Sequence, residues 1–227
     1  MIFLGMDTST SCGTVALVSR QGLLAEYSLN IARTHSERLL PTVKQILSDT
    51  AVRLDQIDGI AVTVGPGSFT GLRIGLSTAK ALALATGKSL VGVPTLDVLA
   101  ENVPYCTTAL CPALDARRGE LFVAFYRWKE DGILERYTEY LSIRPDTLLE
   151  KMREPVLLFG NGALLYRDRF LGKGIPVSCA PAELHYPRAS VLCRLAMVQW
   201  EREGGTDPHD LRALYVRPSD AEINRSL

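Results

Sequence analysis

Three histidines, five cysteines and no surplus of either charge leave few kinds of chemistry open to this 227-residue chain. The cysteines (12, 106, 111, 179 and 193) are odd in number, scattered, and never spaced as Cys-x-x-Cys. That pattern argues against zinc and disulfide frameworks and for small buried thiols in a reducing compartment. His35, His185 and His209 stand alone, and the position that would pair with His35 one helical turn on holds Leu39. Two histidines at that spacing share a helix face and can grip one ion; without them a metal-dependent hydrolase is not expected. Lys+Arg and Asp+Glu both number 25, so no net field draws the chain to nucleic acid or to an anionic membrane. Any RNA it serves is expected to be held mainly by another chain. Aromatic residues make up 7% and are not interleaved with basic ones as stacking platforms. Lys80 and Lys88 interrupt the most apolar stretch, so no membrane span fits. The start reaches Asp7 too early for a signal peptide, and the expected location is cytoplasmic.

What is present is a core-forming chain, 47% apolar, whose elements come in one order twice. Strands are expected at 2–6, 14–18 and 23–29, followed by a helix from Thr34, where Thr34-His-Ser-Glu37 has capping-box spacing. Leu39, Leu40, Val43, Ile46 and Leu47 fall on one face of that helix, while Pro41 works against it. A strand at 57–64, a helix at 71–86, a strand at 89–93 and a short helix from Thr95 complete the first set. The second set has strands at 107–114, 121–126 and 134–141, a helix at 145–152 and a strand at 156–159. A helix at 163–171, a strand at 175–179 and a long helix at 187–203, stopped by Gly204-Gly205, finish it. A βββαβαβα order in duplicate predicts an α/β protein of two ribonuclease-H-like lobes, 1–104 and 105–227, with the last long helix free to pack back across that boundary. That is the plan of the actin, sugar kinase and Hsp70 class, which grips a nucleotide between its lobes.

The run Gly65-Pro-Gly-Ser-Phe-Thr-Gly-Leu-Arg-Ile-Gly75 leads from a strand into a helix, where free N–H groups can hold an anion. No Gly-Lys-Ser/Thr closes it as a P-loop, and Thr70 occupies the third glycine of a dinucleotide fingerprint. Ser68 lacks the flanking glycines of a nucleophile elbow and reads as a helix N-cap. In the helix that follows, Arg73, Ser77 and Lys80 form one narrow polar strip and nearly everything else is apolar or small. Such a helix needs cover on more than one side. Gly71 and Gly75 would let a neighbouring helix, expected to be 36–48, approach closely. Leu39, Leu40, Val43, Gly71, Leu72, Gly75, Leu76, Ala79 and Leu82 would then form a platform for the same helix pair of another molecule. An interface of that kind buries on the order of 1,200–2,000 Å². The alternative is a helix sealed inside by the second lobe.

Four stretches resemble the bacterial TsaB (formerly YeaZ) family. They are Leu4-Gly-Met-Asp7-Thr-Ser-Thr10 with Val15-Ala16-Leu17; Thr34-His-Ser-Glu37-Arg-Leu-Leu-Pro41; the Gly65–Gly75 run; and Leu114-Asp115-Ala-Arg117-Arg-Gly119-Glu. The resemblance extends from Met1 to about Phe125, with Gly160-Asn-Gly162 and Tyr215-Val-Arg217-Pro as echoes beyond. It implies a role in making N6-threonylcarbamoyladenosine beside the anticodon of tRNAs that read ANN codons. The chain would be the non-catalytic partner of the paralogue TsaD, with the ATPase TsaE joining the assembly, tRNA met through the complex, and a homodimer when alone. The resemblance implies no catalytic residue, no metal and no required cofactor, with ATP or ADP at the lobe cleft or at a junction of the complex. By the wider class, Asp7, Thr8, Ser9, Thr10 and Gly13 would lie against phosphates, with Asp115 and Gly160/Gly162 near the second hairpin and the adenosine. A strand-end Asp closing an Asx-turn is the structural alternative for Asp7. Arg117 and Arg118 could reach tRNA phosphates or a nucleotide in the complex, or simply be solvated. The competing functions are a metal- or serine-dependent peptidase and a small ATP-dependent kinase.

Overall fold

β1 (Ile2–Asp7), β2 (Gly13–Ser19) and β3 (Gly22–Leu29) form an antiparallel meander, with Asp7 opposite Thr14 at the open end of the first pair. The computed structural model describes residues 1–31, 33–171 and 176–217. After the meander come α1 (His35–Thr50), β4 (Gly59–Gly65), α2 (Phe69–Thr86) and β5 (Ser89–Pro94). β4 runs parallel to β1, and β5 parallel to β4, which gives the sheet order β3-β2-β1-β4-β5.

β1 and β4 are buried on both faces, so they read as continuous apolar runs and not as alternating ones. Leu4, Met6, Val15 and Leu17 point to Leu39, Val43 and Ile46 of α1 and to Leu76, Ala79 and Ala83 of α2. Phe3, Ala16, Val18, Ala61 and Val91 point the other way, where successive side chains of a strand must alternate. α3 (Thr95–Glu101) leads out of β5.

A second sheet follows. β6 (Ala109–Asp115) and β7 (Leu121–Val123) are antiparallel, and the hairpin β8 (Tyr126–Trp128) and β9 (Leu134–Arg136) attaches beside β6. β10 (Leu141–Ile143) pairs with β7; then come α4 (Pro145–Lys151), β11 (Val156–Phe159), α5 (Asn161–Leu165), α6 (Arg167–Phe170) and β12 (Val177–Cys179). The order β10-β7-β6-β11-β12, with β6, β11 and β12 parallel, repeats the path of the first sheet. Leu121, Val123, Ile143, Leu148, Val156 and Phe170 fill its core.

The last helix, α7 (Ala189–Glu203), packs back across the expected boundary at 104/105. The chain separates into one unit of Met1–Val98 with Pro187–Leu214 and another of Leu99–Tyr186 with Tyr215 onward. Ala189, Leu192, Cys193, Ala196 and Met197 of α7 cover the Phe3/Ala16/Ala61 face of the first sheet. Glu26 of β3 anchors the helix start, accepting from Ser190 N and Ser190 Oγ (both 2.9 Å) and pairing with Arg188. A carboxylate there complements the helix dipole.

Several local expectations are corrected. Residues 121–126 and 134–141 each split into two strands, because Thr138 Oγ1 takes the Phe125 N–H (2.9 Å) that a continuous ladder would use. The 163–171 helix breaks at Tyr166 into α5 and α6. Ile175, the expected start of the last strand, lies outside the described residues. Thr34 precedes α1 without capping it, its hydroxyl turned to Ser36, and Pro41 sits inside the helix on an exposed turn. Among the described residues no helix is long and apolar enough to cross a membrane.

Candidate functional site

The loop after β1 and the start of α2 are built into each other. Asp7 is fully buried; its Oδ1 accepts from Thr63 Oγ1 and from Ser9 N (3.2 Å), and Oδ2 has no partner. Burial pushes its pKa up to about 6, against the hydrogen bonds from Ser9 and Thr63. Thr8 Oγ1 donates to Gly71 O (2.7 Å), Ser68 N donates to Ser9 O (2.7 Å), and Thr10 Oγ1 closes on Cys12 O (3.1 Å). A Cβ on Gly67 would stand 2.5 Å from Ser9 O, on Gly71 2.0 Å from Thr8 O, and on Gly75 2.4 Å from Thr8 Oγ1. The glycine run is therefore a socket for residues 8–10. Ser68 caps α2 by accepting from Gly71 N (3.3 Å), while its own N–H is taken by Ser9 O, so these two N–H groups at the helix start are bonded within the chain.

α1 clasps the same loop. His35 Nε2 donates to Thr10 O (2.7 Å), and its Nδ1 accepts from Arg38 Nη2 (3.0 Å), which fixes the neutral tautomer. Arg38, nearly buried, also donates to Leu29 O (2.6 Å) and Ser11 O (2.7 Å). Burial first, then the Arg38 charge, holds the His35 pKa below its ordinary value in spite of the Thr10 bond. Gly13 packs on this ring, where a Cβ would lie 3.0 Å from Nδ1. Asp7, Thr8, Ser9, Thr10 and Gly13 are thus brought together, but as an internally bonded knot. Sequence reasoning missed Arg38 and Thr63; an arginine one turn after His35 was the available signal for the first.

Between α1 and α2 lies an open groove of about 510 Å³, lined by Leu39, Leu40, Phe69, Arg73, Ile74 and Ser77 among others. Leu40 is 54% exposed and Phe69 37%, and the Arg73 guanidinium lies 3.8 Å over the Phe69 ring. The expected platform is corrected here. Of its residues, Leu40 reaches solvent, Leu39 edges the groove and Leu82 is half-buried. Val43, Leu72, Leu76 and Ala79 are buried, and Gly71 and Gly75 face Thr8. The small-residue stripe of α2 meets its own sheet, so the outward face is the Phe69-Arg73-Ser77 side.

In the second unit, Asp115 closes an Asx-turn: its Oδ1 accepts from Arg117 N (2.8 Å) and its N donates to Asn161 Oδ1 (3.2 Å). Gly160 (φ +105°) abuts Ala113 O, where a Cβ would come within 2.2 Å, so no side chain is tolerated. Buried His185 accepts from Gly160 N (3.1 Å) and donates to Ala180 O (3.0 Å). Gly162 packs on Leu121. Glu120 accepts from Ser142 Oγ (2.7 Å) and Arg217 Nη1 (2.7 Å), and these two partners hold its carboxyl below the usual range. Among the described residues no group of three His, Cys, Asp or Glu is placed to hold a metal ion.

Two sheets of identical path, each with an acidic residue ending its first strand, define a duplicated ribonuclease-H-like protein of the actin, sugar kinase and Hsp70 class. Within that class the chain belongs to the TsaB (YeaZ) family. The family described as "TsaD: tRNA N6-adenosine threonylcarbamoyltransferase" matches residues 22–150. The tRNA threonylcarbamoyladenosine biosynthesis protein TsaB of Bacillus subtilis (strain 168) is 33% identical over 98% of this chain and 96% of its own length. Its counterpart in Escherichia coli (strain K12) is 35% identical over 91% of this chain and 90% of its own. The solved structure of YeaZ from Pseudomonas aeruginosa superposes with a TM-score of 0.78 at 26% identity, covering 94% of this chain and 99% of that one.

Proposed function

We propose that this chain is an accessory subunit in the synthesis of N6-threonylcarbamoyladenosine beside the anticodon of tRNAs reading ANN codons. It docks its α1–α2 groove on the catalytic paralogue TsaD and holds that partner in its competent conformation, a shift of population and not a chemical step. The observation that carries this reading is the pairing of an exposed apolar groove with a set of polar groups already engaged. Asp7, His35, Arg38 and Ser68 bond to the chain's own loops, whereas Leu40 and Phe69 face outward. In this reading the chain works in the cytoplasm and needs no cofactor of its own. ATP or ADP acts at a junction within the assembly, which a TsaE-like ATPase joins, and tRNA is met through the complex. Alone, the chain covers the groove with a second copy of itself.

Leu40→Asp with Phe69→Asp tests this directly, since neither side chain is buried. The double variant is expected to keep its circular dichroism spectrum and lose both the heteromer and the homodimer in size-exclusion chromatography with light scattering. An unchanged complex would refute the groove as the docking face. Hydrolysis of ATP or of a peptide by the isolated chain would refute the accessory role.

A further inference from the structure

Arg73, Ser77 and Lys80 make a polar strip on α2, a helix that carries no carboxylate. α1 adds Lys44, one turn beyond the exposed Leu40, and Glu37 in its first turn. Its other charged side chains are engaged elsewhere. Arg38 is buried on the Leu29 and Ser11 carbonyls, and Asp49 at the far end of the helix is held by Tyr27 and Gln45. The outer faces of the two helices therefore set the cations Arg73, Lys44 and Lys80 against the single carboxylate of Glu37. Among the described residues none of these four side chains is in an ion pair. On a chain whose net charge is zero, that surplus belongs to this face.

Arg73 is the most constrained of the cations. Its guanidinium lies 3.8 Å over the Phe69 ring, which fixes its plane. The N–H edge is left to fork onto a carboxylate in two parallel bonds. The groove itself offers none, since every other lining side chain is apolar or a hydroxyl. A second copy does not supply the missing charge either. A closed pair of identical chains sets each groove on its own image, which doubles the cations and adds only a second Glu37. Like charges brought together in this way cost affinity.

We propose that Arg73, with Lys44 and Lys80 beside the groove, selects the partner. The face fits a docking surface that presents carboxylates around an apolar centre, and it holds a second copy of this chain only weakly. The self-pair is then a loose cover that the acidic partner displaces. Use of the groove for docking rests on the function proposed above; the choice between partners rests on the charges.

Sedimentation of the chain alone and of its mixture with the catalytic paralogue, at about 50 and 200 mM salt, separates the two assemblies. Screening weakens attraction between opposite charges and relieves repulsion between like ones. The complex with the paralogue is expected to weaken about threefold or more across that range, while the self-pair holds or tightens. Arg73→Gln with Lys44→Gln and Lys80→Gln removes the charges and keeps good helix formers. It should weaken the complex about tenfold, tighten the self-pair about threefold or more, and flatten both salt responses. Arg73→Lys should keep the preference for the paralogue, whereas a mere loss of packing would weaken both assemblies together. A triple variant that shifts both dissociation constants in the same direction, or self-associates no more than the parent, would overturn the proposal. So would a self-pair that weakens with salt as the complex does. Should the parent form no complex with the paralogue, the docking reading falls, and the charges are then judged on the self-pair by the sign of its salt response.

Discussion

Asp7→Asn should remove a loss of stability that the protein suffers as pH rises from 3.8 to about 6. In the fold Asp7 is fully buried, one oxygen bonded to Thr63 and Ser9 N and the other unpartnered. Its pKa rises from 3.8 to about 6, which at 1.36 kcal/mol per pH unit is on the order of 3 kcal/mol. The sign follows from proton linkage. Between these two values the native state holds a proton that the unfolded state has released, so stability falls as pH increases. The contribution is complete below 3.8 and gone above about 6. Asparagine keeps the acceptor for Thr63 and Ser9 N and cannot ionise, but it leaves an unpaired buried amide that costs about 1–3 kcal/mol at every pH. Urea unfolding of both proteins at pH 4 and pH 8 isolates the effect, since the other titrating groups cancel in the difference. The variant-minus-parent stability should move by about 2–2.5 kcal/mol in the variant's favour across that range, the parent having already lost part of the effect at pH 4. A difference that stays flat with pH would refute the buried, proton-holding carboxyl.

Gly71→Ala and Gly75→Ala should each cost about 1–3 kcal/mol or more by thermal melting, because their methyl groups would strike Thr8 O and Thr8 Oγ1. Gly75→Leu should unfold the protein, so it cannot report on docking; a stable, folded Gly75→Leu would contradict the socket. Arg38→Met should lose about 2–4 kcal/mol in urea unfolding, since it abandons the Leu29 and Ser11 carbonyls and the His35 ring; a loss under 1 kcal/mol would show the clasp to be ornamental. Glu120→Gln should speed amide exchange at Glu120, whose N–H donates to Arg117 O. Because the Glu120 pKa is depressed, the parent should keep this protection through the ordinary carboxylate range and lose it only as pH falls below that range. Exchange that does not respond to either change would count against the hold of Ser142 and Arg217 on this carboxylate.

Element order was legible because each element carries its own period and punctuation. The β1 to β5 series and the Ser68 cap follow from apolar runs, turns and a hydroxyl just before a helix. The glycine run misled because a glycine shows that something comes close without saying what. The close neighbour is Thr8, more than sixty residues earlier in the chain, and not the expected helix 36–48. α2 is apolar nearly all round, so periodicity could not tell which side meets the sheet. The groove face became visible only once Leu72, Leu76 and Ala79 were seen buried beneath it. Arg38 was hidden because a charged side chain is read as solvated until its acceptors, two loop carbonyls, are in place. The allegiance of α7 is a tertiary fact: its face of Ala189, Cys193 and Ala196 suits any flat sheet, and the order of elements left open which of the two it covers.

That allegiance has a bearing on how the protein is made. The Phe3, Ala16, Ala61 and Val91 face is made before its cover, which begins at Ala189. At about 5–20 residues per second the ribosome takes on the order of 5–20 s to travel from Pro94 to that helix. Throughout this interval the nascent first sheet presents a bare oily flank, and the intervening unit emerges before it can be closed. Closure of the first sheet is thus timed by a helix made only after the whole second sheet.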